Sequence, residues 1–258
     1  MAVSLIDSGS TTSTTFATSL AGPAMSGLTY ADDDVALVVC AGFASSTTLP
    51  IWDIPSGYTE DLNWNYVGGG NDWEMSVVSK VLSGTETEPT FTPTNSSVIN
   101  ILTFILRGLD LSVHYDVAIT TQNYVNDNPA PSDGTVLGPC PAITPTTDNG
   151  ALILVAYAAG SGTSVMTAFT APTTPAGLSK GPSVTPGNNY CNMISAYDMD
   201  YGSATTFTPS VWGVTTGGGG LSETGHITIA IRPASGVTDI NYSGLNRGIM
   251  RGVARKIG

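Results

Sequence analysis

Two histidines, His114 and His226, are the only side chains here that ordinarily titrate near neutrality. A hydrolase would need such a group beside a nucleophile or an acid. His226 opens the apolar run HITIAIRP, and His114 sits in the alternating stretch LSVHYDVAI. Neither belongs to a catalytic motif, and neither GxSxG nor HExxH occurs. Each is therefore expected to be structural. The glycine runs Gly68–Gly70 and Gly217–Gly220 have no following Lys, which argues against a phosphate cradle. Asp32, Asp33 and Asp34, or Asp53 with Glu60 and Asp61, could offer hard oxygen ligands to Ca²⁺. No D-x-D-x-D-G loop accompanies them, so solvated turns are expected. No carboxylate pair is singled out for glycoside hydrolysis. The sequence predicts no enzyme, no cofactor and no metal.

Aromatic residues offer a different chemistry. Trp52, Tyr58, Trp64, Tyr66 and Trp73 cluster within 22 residues, among Asp and Asn. Such rings can stack on sugars, or they can pack at a rim or subunit contact, where an apolar body and a polar tip both find partners.

A third candidate is the C-terminal stretch GLNRGIMRGVARKIG, Gly244 to Gly258. Glycines fall at 244, 248 and 252, apolar residues at 245, 249, 253 and 257, and arginines at 247, 251 and 255. A step of four is near one helical turn, so each set forms its own stripe. Three glycines cost about 1 kcal/mol each relative to Ala, so the helix would need a surface to form on. Leu245, Arg247, Ile249, Arg251, Val253, Arg255 and Lys256 are the expected partner-binding residues. A neighbouring subunit, a host particle and an anionic membrane are the surfaces such an arm could use.

Charge supports this division. The 258 residues carry 20 acids and 8 bases. All the acids and four of the bases lie in residues 1–246, so the body carries −16 and the last 12 residues +4. A body this acidic repels phosphate backbones, which excludes it as a nucleic-acid binder. Charged residues are only 11% of the chain, less than half the usual share, so Thr, Ser, Asn and Gly must cover the surface. Cys40, Cys140 and Cys191 cannot all pair, and no C-x-x-C occurs; buried thiols are expected. The N-terminus lacks the basic and apolar regions of a secretion signal, and no run is long enough to span a membrane.

The elements that must position these residues read as strands. ALVVCAGF, EMSVVSKVL, INILTFILR, ALILVAYAA, NMISAYDMD and HITIAIRP are short and apolar, separated by clusters such as PSGY, GGGND and NDNPAPSDG. Several are apolar throughout, as fits strands covered on both faces. The pattern is also written twice. Residues 32–44 match 148–160, TFTP occurs at 90–93 and 206–209, and ILTFILRG at 101–108 matches HITIAIRP at 226–233. The first match aligns Ala36-Leu37-Val38-Val39 with Ala151-Leu152-Ile153-Leu154. Three matches in the same order predict a pseudo-duplicated β-structure.

The series P-S-G-Y-T (55–59), S-G-T-E-T (83–87), T-F-T-P (90–93), I-L-R-G-L-D (105–110) and I-A-I-R-P-A (229–234) resembles a family of β-sandwich proteins frequent among tailed-bacteriophage structural proteins. The similarity spans about 30–234, with departures at Asp32–Asp34, Tyr58 and Leu106. The motifs mark strands and turns and so specify fold better than function. The expected fold is all-β, a jelly-roll-like two-sheet sandwich of two pseudo-repeated halves (32–110 and 148–234) in one domain over 30–236. An N-terminal arm or edge strand (1–29) and a basic helical or extended arm (237–258) flank it. The resemblance implies a virion protein made in the host cytoplasm: a capsid decoration or cement protein, head fibre or tail component. It would be homo-oligomeric, a trimer for instance, and would touch capsid or other virion proteins. The alternative is a carbohydrate- or receptor-binding module of a fibre or tail.

Overall fold

A computed structural model describes residues 2–44, 49–67, 72–125, 136–160, 166–184, 191–216 and 221–235. In the first half the strands are β1 (Ser4–Thr12), β2 (Leu20–Ala21), β3 (Val35–Ala44), β4 (Trp52–Asp53), β5 (Thr59–Tyr66), β6 (Trp73–Val81), β7 (Thr90–Pro93) and β8 (Ser97–Arg107). The second half supplies β9 (Thr120–Val125), β10 (Val136–Leu137), β11 (Ala151–Gly160), β12 (Met166–Thr170), β13 (Ser179–Lys180), β14 (Cys191–Asp198), β15 (Trp212–Thr216) and β16 (Leu221–Ile231). Among the described residues the one helical piece is a 3₁₀ turn, Met25–Gly27.

The pairing follows one rule in both halves. β1 pairs with β8, β2 with β7 and β3 with β6; eight strands on, β9 pairs with β16, β10 with β15 and β11 with β14. First with last, second with next-to-last and third with sixth is the winding of a jelly roll. Each half thus has a five-stranded sheet, β1-β8-β3-β6-β5 or β9-β16-β11-β14-β13, and a three-stranded one, β2-β7-β4 or β10-β15-β12. The all-β sandwich is as expected, but the two sheets anticipated are four.

Side-chain alternation shows how the four stack. In β3, Val35, Leu37, Val39, Ala41 and Phe43 point into a central cluster, where Ala151, Ile153, Val155, Tyr157 and Ala159 of β11 meet them. Ala36, Val38 and Cys40 point the other way, into a cluster with Trp52 and Phe91 under the first three-stranded sheet. Leu152, Leu154, Ala156 and Ala158 likewise face Met166 and Trp212 under the other. The two five-stranded sheets therefore lie back to back, each under an outer sheet, around three apolar layers. This arrangement explains why β3 and β11 are apolar without a break: a strand covered on both faces has no polar side. Each fully buried Leu, Ile or Val contributes about 1.5–3 kcal/mol over leaving it exposed.

The internal repeat is offset by one residue from its sequence alignment. Ala36 was matched with Ala151, yet Ala36 faces the outer layer and Ala151 the central one. The counterpart of Ala151 by facing is Val35, because a one-residue slip in a strand reverses every side chain. The C-terminal match holds: Leu102, Phe104 and Leu106 face the centre, as do Ile227, Ile229 and Ile231. TFTP keeps its strand only at 90–93. At 206–209 the structure has an isolated bridge, Ile143 to Phe207, and β15 begins later at Trp212. Of residues 1–29, Ser4–Thr12 forms an edge strand of the first five-stranded sheet, from Ser4 opposite Arg107 to Thr12 opposite Asn100, with a register shift between Leu5 and Asp7. Cys40, Cys140 and Cys191 are buried thiols, and Cys191 Sγ accepts from Asn100 Nδ2 at 3.0 Å.

Candidate functional site

The turns leading into β3 and β11 form one margin of the molecule. Asp33 (φ 67°) and Asn149 (φ 59°) both take the left-handed conformation that Asp and Asn tolerate in tight turns. Next to Asp33, the buried carboxylate of Asp34 receives Arg107 Nε at 2.6 Å, Arg107 Nη2 at 2.8 Å and the Ala31 N–H at 2.8 Å. Burial pushes Asp34 up, but the bonds from Arg107 and Ala31 and the guanidinium charge outweigh it and leave the acid below its ordinary range. Asp32 accepts the Gly84 N–H. The triple-Asp turn is therefore divided among separate tasks, and no group of three potential metal ligands occurs among the described residues.

Two depressions open on this margin. One, of about 410 Å³, runs from Asp32–Asp34 past Arg107 to Asp110; the other, of about 470 Å³, is bordered by Asp148, Asn149, Asp200 and Arg232. They share Ala234 and Ser235, the last described residues before the basic C-terminal segment. Arg232 lies 4.0 Å from Asp110. The expected partner-binding residues Leu245, Arg247, Ile249, Arg251, Val253, Arg255 and Lys256 lie outside the described residues.

The aromatic group does not form one platform. Trp73 is fully buried in the central layer, with Trp64 edge-on at 4.7 Å, Tyr66 stacked at 6.0 Å and Tyr157 of the other half at 5.7 Å. Trp52 is buried in the first outer layer, and Tyr58 packs against that same layer with Lys80 above its ring. The sheet runs between the two sets, so Trp52 and Trp73 are core residues and cannot touch a sugar or a subunit as they stand. Tyr58, Trp64 and Tyr66 are half-buried, the last two on the edge strand β5.

A convergence that the sequence did not reveal lies beside β5 and β6, on the face that carries Trp73, Met75 and Val77 into the central layer. Ser79 Oγ is 3.2 Å from His114 Nδ1, and the Tyr115 hydroxyl donates to Asp61 Oδ2 at 2.6 Å, beside a depression of about 310 Å³. These are the residue types of a hydrolase triad without its wiring. Asp61 binds Tyr115 rather than orienting the imidazole, and Ser79 is 2% exposed. Burial raises Asp61 above its usual range, opposed by bonds from Tyr115 and Ser79. The four residues come from three separate segments, so no local spacing could announce them. Asp53 and Glu60 stand apart: Asp53 is exposed on β4, and Glu60 accepts from Asn63.

Several other ionisable groups are buried in the sheets. His226 is wholly buried, pushed down to about 3 by loss of hydration, with Nε2 2.9 Å from Thr224 Oγ1 and the Tyr124 ring edge-on at 5.0 Å. It stays neutral at any ordinary pH. Glu74 accepts the Trp52 N–H at 3.4 Å and Asn63 Nδ2 at 3.2 Å, yet burial raises it to about 7. Burial likewise raises Cys40 and lifts Cys140 to about 12, so both are protonated packing residues and not nucleophiles.

No family model, curated protein or solved structure matches this chain. What the coordinates define is a class: an antiparallel β-protein of two jelly rolls joined back to back. No helix among the described residues is long and apolar enough to cross a membrane.

Proposed function

We propose that the chain is a structural protein of a tailed-bacteriophage virion, a decoration or cement protein that oligomerises and stabilises the capsid through repeated subunit contacts. The observation that carries this reading is the architecture. Two jelly rolls spend their most apolar faces on each other and leave an exterior poor in charge, built of Thr, Ser, Asn and Gly. Such a block is suited to many shallow contacts repeated by symmetry, each weak and together strong.

The basic arm supplies an anchor. It follows Ser235, where two depressions bordered by aspartates adjoin, so a second copy of the chain offers it a surface of opposite charge. The sugar- or receptor-binding alternative is weakened, because two of its five aromatic residues are core. Deleting residues 244–258 tests the proposal. The expected result is loss of binding to purified particles or a fall in native oligomer mass; unchanged binding and mass would overturn it. A glycan array with Trp64→Ala addresses the alternative, which requires sugar binding that the variant loses.

A further inference from the structure

β5 (Thr59–Tyr66) is an edge of the first five-stranded sheet, and among the described residues it pairs only with β6. No other backbone-to-backbone bond between described residues reaches it. The N–H and C=O groups on its outer side must therefore turn to water or to another strand. The other edges of the five-stranded sheets are strapped or short. Along β1, Pro23 lies against Gly9, Asp7 accepts the Thr29 N–H at 2.8 Å, and Thr11 Oγ1 donates to the Ala21 carbonyl at 3.0 Å. Beside β9, the Tyr124 ring lies against Gly138 and its hydroxyl donates to the Pro139 carbonyl at 2.9 Å. β13 is two residues long.

Edges that stay single are usually guarded by Lys, Pro or a bulge. β5 has no Lys, Arg or Pro. Its guard sits at its start, where the register shifts between Glu60 and Leu62 and the Tyr115 hydroxyl holds Asp61. Leu62 to Tyr66 is left regular. Leu62, Trp64 and Tyr66 pack half-buried against the central apolar layer, so that layer runs out to the edge and stops there. Val67, next along, is 65% exposed.

We propose that Leu62–Tyr66 pairs antiparallel with the same segment of a second copy, joining two five-stranded sheets into one of ten strands. This deepens the self-association in the proposed function and rests on that part of it. Opposed residues in an antiparallel pair share a face. A two-fold axis at Trp64 therefore sets Trp64 against Trp64 and Leu62 against Tyr66 on the central side, and Asn63 against Asn65 on the other. Charge selects this direction. Each copy's Glu60 and Asp61 fall beyond the other's Tyr66, at opposite ends of the interface, whereas parallel pairing would set like charges side by side. The axis uses up the edge, so the pair closes and does not grow into a fibre.

The experiment uses two full-length variants, Asn63→Cys and Asn65→Cys, both at exposed positions of β5. They are oxidised singly and after co-expression, and run on non-reducing gels. Cys40, Cys140 and Cys191 are buried and do not compete. The expected result is about tenfold more disulfide-linked dimer in the mixture than in either variant alone, because only opposed Cβ atoms come within disulfide reach. Light scattering on the unaltered chain should give an even number of copies, and that mass decides if a variant fails to fold. The proposal is overturned if the mixture links no better than the single variants, or if the unaltered chain is a monomer or a trimer. Crosslinked dimers that do not bind particles would sink the virion reading and leave this pairing standing. An oligomer that dissolves on removing residues 244–258, with no 63–65 link, would do the reverse.

Discussion

Glu74 shows how one buried acid sets a pH dependence. Its folded-state value, about 7, lies above the ordinary 4.5, so the folded chain binds the proton more tightly than the unfolded one. The stability linked to it is complete below about 4.5 and is lost as pH rises through about 7. Glu223 acts in the same direction and window. Asp34 acts oppositely: its value is lowered, so its contribution is present above the ordinary 3.8 and is lost as pH falls through the folded value. Stability should therefore be greatest in mildly acidic solution, between these windows. Glu74→Gln keeps an acceptor for the Trp52 N–H and removes the charge that burial opposes. The expected outcome is a higher Tm at pH 8 than the parent and a flatter Tm profile between pH 5 and 8. Scanning calorimetry across that range measures both.

At the scale of strands, close approach between backbones decides which positions tolerate a side chain. At Gly42 on β3 a Cβ would fall 2.2 Å from the Val98 carbonyl oxygen, and at Gly225 on β16 it would meet the Trp73 ring. Gly42→Ala and Gly225→Ala should each cost about 1–3 kcal/mol through forced displacement of a packed neighbour. Urea midpoints at unchanged m-value would show it. Gly42→Ala should be the worse, since it collides with backbone and not with a ring that can tilt.

These strands also show what could be read beforehand. The apolar runs gave true strands, whereas of the repeated motifs TFTP forms a strand only at 90–93. Facing could not be read in β3 or β11, because a strand buried on both sides carries no alternation from which to infer it. The Ala36–Ala151 alignment was therefore one residue out, while the Leu102–Ile227 match, set by its own motif, was right. Trp52 and Trp73 were grouped by proximity in the chain, but they lie on opposite sides of the sheet. Glu74, Glu223, Asp61 and His114 gave no local signal, since their environments are made by segments distant in sequence.

For the whole molecule, the central layer makes the halves interdependent. Residues 2–110 alone would expose the face formed by Val35, Leu37, Val39, Leu102 and Phe104, an apolar patch larger than a soluble monomer tolerates. The isolated first half is expected to precipitate or to pair with itself, whereas the full chain unfolds in one cooperative transition. Size-exclusion chromatography with light scattering on the half, and calorimetry on the full chain, check this. A soluble, monomeric first half would show that the outer layers suffice.

Because the two jelly rolls are covalently continuous, the seam between Trp73 and Tyr157 behaves as an association that dilution cannot undo. A pair of separate subunits meeting through the same face would come apart as concentration fell, and their melting point would fall with it. Here each partner is tethered beside the other at a fixed high local concentration. The core of the molecule should therefore melt at the same temperature however few copies are in solution, leaving concentration to govern only the contacts made by its outer surface.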